Sequence, residues 1–129
     1  MCVNAIWYSL TDQDLLNSLQ IEFTNGFKTP PIKSAKLEID PKTGSVEGAH
    51  RLAINPNIRI RKIGLEVYDC DHYTGIRLYG RDRKPMLEKI WKVSSKGMWL
   101  YKTLPCKSEL CGIGATMSSV DTYIIQLGF

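Results

Sequence analysis

The chain has 129 residues, of which 43% are hydrophobic and 23% are charged, an ordinary composition for a globular protein. This length fits one domain, residues 1–129, whose core is large enough to fold without disulfide bridges. The net charge of +4 is only mildly basic, and the basic residues alternate with apolar ones where they are densest. We therefore do not expect a dedicated nucleic-acid-binding protein.

No apolar run approaches the roughly 18 residues that a membrane-spanning helix needs, so we expect no membrane insertion. Residues 1–10 lack the charged leader, the long apolar stretch and the small-residue cleavage site of a signal peptide. These features favour a cytoplasmic location. The alternative is a fragment whose signal has been removed.

Apolar and polar residues alternate with period two along most of the chain, which is typical of half-buried strands. One segment departs from this pattern near the start. Thr11 is followed three residues later by an acid, as in a capping box, and predicts at most one short helix over residues 12–19. Leu19–Phe23 alternates cleanly and ends at residues 24–26, Thr-Asn-Gly, a strong turn signal.

The middle of the chain mixes short strands with connections. Residues 36–39 are predicted to form a short strand, closed by a proline-containing turn over residues 40–44. Residues 44–57 are the best candidate for a long irregular loop. The alternating isoleucines of residues 57–61 and the apolar residues of 63–67 are out of phase, which predicts a β-bulge near Lys62.

The second half continues the alternation. Further strands are predicted over residues 75–79, 86–93, 98–101, 110–113 and 122–127. About 8–12 short strands in one chain predict an all-β fold, an antiparallel sandwich, barrel or prism.

The chemistry of the four cysteines, Cys2, Cys70, Cys106 and Cys111, is left open by the sequence. Three of them border apolar strands, where a reduced thiol packs as a small hydrophobic group, and this interpretation is favoured. An even number also permits two disulfides. Zinc is the third alternative, because His72 lies near Cys70, although the spacing matches no standard zinc motif. We expect reduced thiols without bound metal.

The sequence indicates no enzyme and no cofactor. No nucleophile elbow, P-loop, dinucleotide glycine motif or metalloprotease helix motif is present. His50 and His72 neighbour no serine or cysteine in a nucleophile motif. Asp69, Asp71 and Asp82 lie beside tight turns, where carboxylates are ordinary turn residues.

The C-terminal segment carries the sharpest functional signal. A loop rich in small residues begins at Gly112 and ends at Asp121. A carboxylate there can accept hydrogen bonds from two vicinal sugar hydroxyls, and the backbone N–H groups of Ser119 and Val120 can complete the site. Tyr73 is a candidate platform for stacking on the sugar ring. The alternative is a plain turn, since glycine, serine and aspartate are common turn residues.

Several segments resemble the jacalin-related lectins. They are Leu19–Pro31, Ile60–Asp69, Gly75–Tyr79 and Cys111–Ile125. The resemblance implies a β-prism of Greek-key sheets that binds monosaccharides through its loops, without catalysis. The final loop of that family carries a Gly-x-x-x-Asp motif; Asp121 matches its acid, and Met117 stands at its glycine. Similar modules that have lost sugar affinity serve as interaction domains.

The sequence therefore predicts a non-enzymatic binding module, with a lectin-like carbohydrate-binding domain as the first hypothesis. The alternative is a structural or accessory protein–protein interaction subunit of a larger assembly or a homo-oligomer. A concave loop cluster with a free carboxylate favours the lectin. A flat, apolar edge strand favours protein docking.

Overall fold

The computed structural model describes residues 3–68, 72–91, 97–104, 114–117 and 124–128. These residues form twelve strands and no helix, and the paired strands are antiparallel. The strands are β1 (Val3–Leu10), β2 (Leu16–Phe23), β3 (Ile32–Lys33), β4 (Ile39–Asp40), β5 (Ser45–Val46), β6 (His50–Ala53), β7 (Lys62–Tyr68), β8 (His72–Tyr79), β9 (Leu87–Ile90), β10 (Met98–Thr103), β11 (Gly114–Met117) and β12 (Ile124–Gly128). The all-β prediction and the predicted number of strands are confirmed.

The two largest sheets share one arrangement. Their strand orders are β3-β2-β1-β6 and β10-β7-β8-β9. In each sheet three consecutive strands pair as neighbours, and a fourth returns to pair with the first of them, which is the Greek-key pattern. Two hairpins, β4-β5 and β11-β12, complete the described strands. The β11-β12 hairpin contacts β2, β3 and β8, so it lies beside both large sheets.

One hydrophobic cluster joins the two large sheets. Ile6, Leu19 and Ile21 of the first sheet and Ile76 and Leu78 of the second belong to it, and all five are nearly inaccessible to solvent. Full burial of such a side chain contributes about 1.5–3 kcal/mol to folding. The core therefore fixes which face of each sheet points inwards.

Strand β2 is buried along its whole length. Its apolar side chains enter the core, while the polar Ser18, Gln20 and Glu22 are also buried. The Gln20 amide Nε2 donates to the carbonyls of Thr29, at 2.9 Å, and Gly44, at 3.1 Å. Because a buried amide must be hydrogen-bonded, these contacts tie the connections around β3 and β5 to the sheet.

The predicted helix over residues 12–19 is wrong. Residues 11–15 form a turn in which the backbone N–H of Asp14 donates to the Thr11 carbonyl, at 2.9 Å. The Thr11 hydroxyl accepts from the N–H of Leu15, at 3.2 Å, so it caps this turn. Asp14 adopts a φ of 61°, outside the right-handed helical region. The β1–β2 hairpin therefore overrides the local helical signal.

The predicted irregular loop over residues 44–57 is also wrong, since it contains β5 and β6. Strand β6 pairs with β1 from Ala5 opposite Ala53 to Tyr8 opposite His50. Its residues are mostly exposed. An exposed edge strand carries no apolar alternation, so the sequence pattern gave no sign of it.

The bulge expected near Lys62 lies elsewhere. Residues 57–61 form no strand, β7 begins at Lys62, and its register with β8 shifts between Glu66 and Val67. Ile60 and Ile63 are both buried. The shift in the alternation of apolar residues therefore occurs where the irregular segment 57–61 ends and β7 begins.

Two predicted strands are shorter or displaced, and one is not described. The strand predicted over 36–39 is the short β4, and the strand predicted over 86–93 is β9. Residues 110–113 lie outside the described residues. Their predicted strand stays a prediction.

Candidate functional site

The prediction that Tyr73 stacks on a ligand is wrong. Its side chain is only 9% exposed and belongs to the hydrophobic cluster. Tyr73 pairs with Val67 across β7 and β8, next to the register shift between Glu66 and Val67. A ring held in the core cannot form a surface platform.

The rest of the predicted sugar site, Gly112, Ser119, Val120 and Asp121, lies outside the described residues. The structure does describe Gly114–Met117, and this segment is a strand, β11, paired with β12. Residues 114–117 of the segment predicted as a loop from Gly112 to Asp121 are therefore strand. Hydrogen bonding of a sugar by Asp121 stays a prediction.

The four cysteines also lie outside the described residues, so the state of their thiols stays a prediction. Among the described residues, no three His, Cys, Asp or Glu side chains gather in a group that could hold a metal ion. The same residues include no helix with the length and apolar character needed to cross a bilayer.

A different group of polar and aromatic residues meets on the outer face of the second large sheet. Tyr101 of β10 lies opposite Gly64 of β7, Gly64 opposite Arg77 of β8, and Arg77 opposite Glu88 of β9. We call these four residues the outer row. The neighbouring positions Ile63 and Leu78 point into the core, so the outer row faces away from it.

Trp99 lies on the same face, two residues before Tyr101. The two rings are nearly parallel, with an interplanar angle of 19° and centroids 6.4 Å apart. The Arg77 guanidinium carbon lies 3.8 Å from the centre of the Trp99 ring, a cation–π contact. Arg77 also donates from Nη1 to the Tyr101 hydroxyl, at 3.0 Å, and from Nε to the Glu88 carboxylate, at 2.5 Å.

Gly64 is required for this arrangement. A Cβ atom at this position would lie 2.7 Å from Cε1 and 2.9 Å from Cδ1 of Tyr101. Both distances are far below van der Waals contact, so the edge of the Tyr101 ring occupies the space above the glycine. A glycine inside a strand often marks such a close approach. Gly64 thus lets Tyr101 lean across β7 to meet Arg77.

A second cation lies at the end of the outer row. The Lys62 Nζ is 4.2 Å from the centre of the Tyr79 ring and 5.0 Å from that of Tyr101. The two tyrosine rings meet edge to face, with centroids 5.9 Å apart. The pKa of the Tyr101 phenol is lowered, first by its hydrogen bond with Tyr79 and then by Arg77 and Lys62. Two cations, Arg77 and Lys62, therefore lie beside Tyr101.

The outer row exposes three kinds of polar group beside aromatic rings. The side chains of Glu88 and Arg77 are 41% and 26% exposed, and Tyr101 is 48% exposed. Carboxylate oxygens accept bonds from hydroxyls, and the guanidinium and phenol can donate to oxygen atoms. The outer row therefore presents both acceptors and donors that can form hydrogen bonds with the hydroxyl groups of a ligand.

Sequence reasoning missed this site. The sequence predicts strands over residues 75–79, 86–93 and 98–101, and the alternation that predicts them does not distinguish Arg77, Glu88, Trp99 or Tyr101 as members of a site. Two signals were available: the aromatic–x–aromatic spacing at residues 99–101, and a glycine inside the strand pattern at position 64.

The other face of β10 is apolar and exposed. Met98 is 69% exposed and Leu100 is 55% exposed. Leu100 lies opposite Leu65, which lies opposite the buried Ile76, so these side chains point to the core side of the sheet. In the described part of the chain, β10 is the last strand of its sheet. The apolar side chains on the core side of β10 therefore lie past the edge of the hydrophobic core and are exposed.

A third cluster surrounds the carboxylate of Glu22. It accepts hydrogen bonds from Asn4 Nδ2 at 2.7 Å, Trp7 Nε1 at 3.0 Å and Arg51 Nη2 at 2.7 Å. The hydrogen bond from Arg51 makes the largest contribution to lowering the pKa of Glu22 to about 2. The Glu22 side chain is only 12% exposed and its oxygens are occupied by three neighbouring side chains, so this cluster is a structural feature of the first sheet.

An open groove of about 420 Å³ lies beside Gln20, Phe27 and Lys28. It carries no carboxylate among its lining residues. The Lys28 ammonium is bonded to the Thr43 carbonyl and the Ser45 hydroxyl, so the polar groups of the groove serve the fold.

Comparison with family models, curated proteins and solved structures finds no match for this chain. The resemblance to the jacalin-related lectins stays a prediction.

Proposed function

We propose that this protein is a non-enzymatic carbohydrate-binding module whose binding site is the outer row together with Trp99. The observation that supports the proposal is the meeting of an exposed carboxylate, guanidinium and phenol beside two aromatic rings on one sheet face. This is the chemistry predicted around Asp121 and Tyr73, supplied by other residues.

Each group has a defined part in the proposed complex. Glu88 accepts hydrogen bonds from two ligand hydroxyls, and Arg77 orients the carboxylate through its own hydrogen bond. The half-exposed Tyr101 ring packs on the apolar face of a sugar ring. The packing of this ring against Gly64 and Arg77 holds it in place, so little side-chain entropy is lost on binding.

The experiment begins with a glycan array and continues with titration calorimetry on the glycans that bind. Glu88→Gln should weaken binding by about 1.5–3 kcal/mol, or roughly tenfold to over a hundredfold, since it removes a charged acceptor. Tyr101→Ala should also weaken glycan binding.

The matched control is Met98→Ser with Leu100→Ser, on the opposite face of the same strand. It should leave sugar affinity within about twofold, because these side chains point away from the outer row. Absence of glycan binding, or equal losses in both sets of variants, would contradict the proposal. Asp121→Asn tests the predicted loop: a loss there, with Glu88→Gln unchanged, would move the site to that loop.

Protein docking is the second candidate function, and the exposure of Met98 and Leu100 favours it. An edge strand with apolar side chains can accept a strand from a partner. In that case the Met98→Ser, Leu100→Ser variant would lose its partner while Glu88→Gln would keep it. A binding screen with both variants separates the two functions.

A further inference from the structure

Positive charge is concentrated in the second large sheet and its connections. Residues 59–104 contain eleven lysines and arginines and five acids. The basic residues among them that the structure describes are Arg59, Arg61, Lys62, Arg77, Arg81, Arg83, Lys84, Lys89 and Lys102, and the acids that it describes are Glu66, Asp82 and Glu88. Residues 3–58 contain five basic and six acidic residues.

Many of these cations lie at the same end of the sheet. Lys62 begins β7 and lies opposite Tyr79, the last residue of β8. The connection that follows β8 carries Arg81, Arg83 and Lys84, and all three side chains are exposed. The Lys62 ammonium lies 5.0 Å from the Tyr101 ring, so this basic end of the sheet adjoins the outer row.

We infer that the ligand of the outer row is an acidic polysaccharide, one whose sugars carry carboxylate or sulfate groups. This inference rests on the function proposed above and names its class of ligand. Hydroxyls of the chain would reach Glu88 and Tyr101, while its anionic groups would reach the cations at residues 62 and 81–84. Clustered cations raise the local concentration and the association rate of an anionic ligand.

A nucleic acid fits the same surface less well. Stacking of bases needs open aromatic faces. Here Arg77 covers one face of the Trp99 ring and Tyr79 is only 7% exposed, so among the described rings of this group the stacking surface is the 48% exposed Tyr101. A single-stranded nucleic acid stacks successive bases on several such rings. The Glu88 carboxylate in the outer row can accept hydrogen bonds from the free hydroxyls that the sugars of a polysaccharide carry, whereas the sugars within a DNA strand carry none.

The test uses the whole protein with three probes: heparin as a sulfated polysaccharide, dextran as a neutral one, and an oligothymidylate of about 20 nucleotides. Binding is measured at about 50 mM and 200 mM salt. Heparin should bind at least about tenfold more tightly than dextran, and its affinity should fall as salt rises.

Two triple variants, each removing three positive charges, provide the matched comparison. Arg81→Ser, Arg83→Ser, Lys84→Ser should weaken heparin binding at least about tenfold. Lys33→Ser, Lys36→Ser, Lys42→Ser, in the first half of the chain, should change it less than about twofold. Thermal melting of both variants confirms that they fold, since the substituted side chains in the first variant are all exposed.

Equal losses in the two triple variants would overturn the inference, because attraction would then follow net charge alone. Tighter binding of the oligothymidylate than of heparin would assign the surface to nucleic acid. If dextran binds as tightly as heparin and Tyr101→Ala weakens its binding, the inference of an acidic ligand is overturned while the proposed function stands. Binding of none of the polysaccharides would overturn both.

Discussion

Glu22→Gln provides a quantitative test of the first sheet. In the wild type the carboxylate accepts hydrogen bonds from Asn4, Trp7 and Arg51, and its side chain is only 12% exposed. Glutamine is nearly isosteric, but it removes the charge and directs its own amide group towards donors. The variant therefore leaves buried donors without an acceptor.

The magnitude follows from the pKa. A fall from the usual 4.5 to about 2 corresponds to about 3 kcal/mol of stabilisation of the charged form. Arg51 has a side chain that is 40% exposed, so solvent compensates part of its loss. We expect Glu22→Gln to lower the free energy of unfolding by about 2–3 kcal/mol at pH 7.

The pH dependence has a definite sign. The folded-state pKa of Glu22 is lower than its unfolded value, so its contribution is fully present above about pH 4.5 and is lost as the pH falls towards about 2. The difference between wild type and Glu22→Gln should therefore shrink over this range. Urea denaturation at several pH values measures it.

The control is Glu47→Gln, at an exposed position, which should stay within about 0.5 kcal/mol of the wild type at every pH. A Glu22→Gln variant as stable as the wild type at pH 7 would refute the argument. If the stability difference between the wild type and Glu22→Gln stays constant down to about pH 2, the electrostatic explanation is refuted.

Two further predictions concern the second sheet. Leu78→Ala should lower the free energy of unfolding, measured by urea denaturation, by roughly 3–5 kcal/mol, because Leu78 is fully buried. Its control, Ile58→Ala at a 41% exposed position, should lower it by less than about 0.5 kcal/mol, and equal losses would contradict the assigned core. Gly64→Ala should destabilise the fold by about 1–3 kcal/mol, because the new methyl group clashes with Tyr101. A double-mutant cycle of unfolding free energies should show that this loss disappears in a Tyr101→Ala background, and a loss that persists there would contradict the contact.

Much of the fold was predictable because alternation reports one buried face. It placed β2, β7, β8, β10 and β12 approximately where they occur. It failed for β1 and β6. Strand β1 lies between β2 and β6 and mixes buried with half-buried residues, and β6 is mostly exposed, so neither shows a clean period of two.

The candidate site was less predictable because it depends on register. Tyr73 and Tyr101 both lie near polar residues in the sequence, yet one is in the core and the other is half exposed. The meeting of Tyr101 with Arg77 requires β10 to return beside β7, with Gly64 between them. Chain order alone contains no information on that pairing between residues far apart in sequence.

The three tryptophans allow a direct test of the proposed site. Trp7 donates a hydrogen bond to Glu22, Trp91 is buried in the core, and Trp99 adjoins the outer row. Fluorine NMR of protein labelled with 5-fluorotryptophan, assigned with a Trp99→Phe variant, resolves the three environments. Titration with a heparin oligosaccharide should shift the Trp99 signal and leave those of Trp7 and Trp91 in place. A saturable shift confined to Trp7 or Trp91, or no shift at millimolar ligand, would contradict the account.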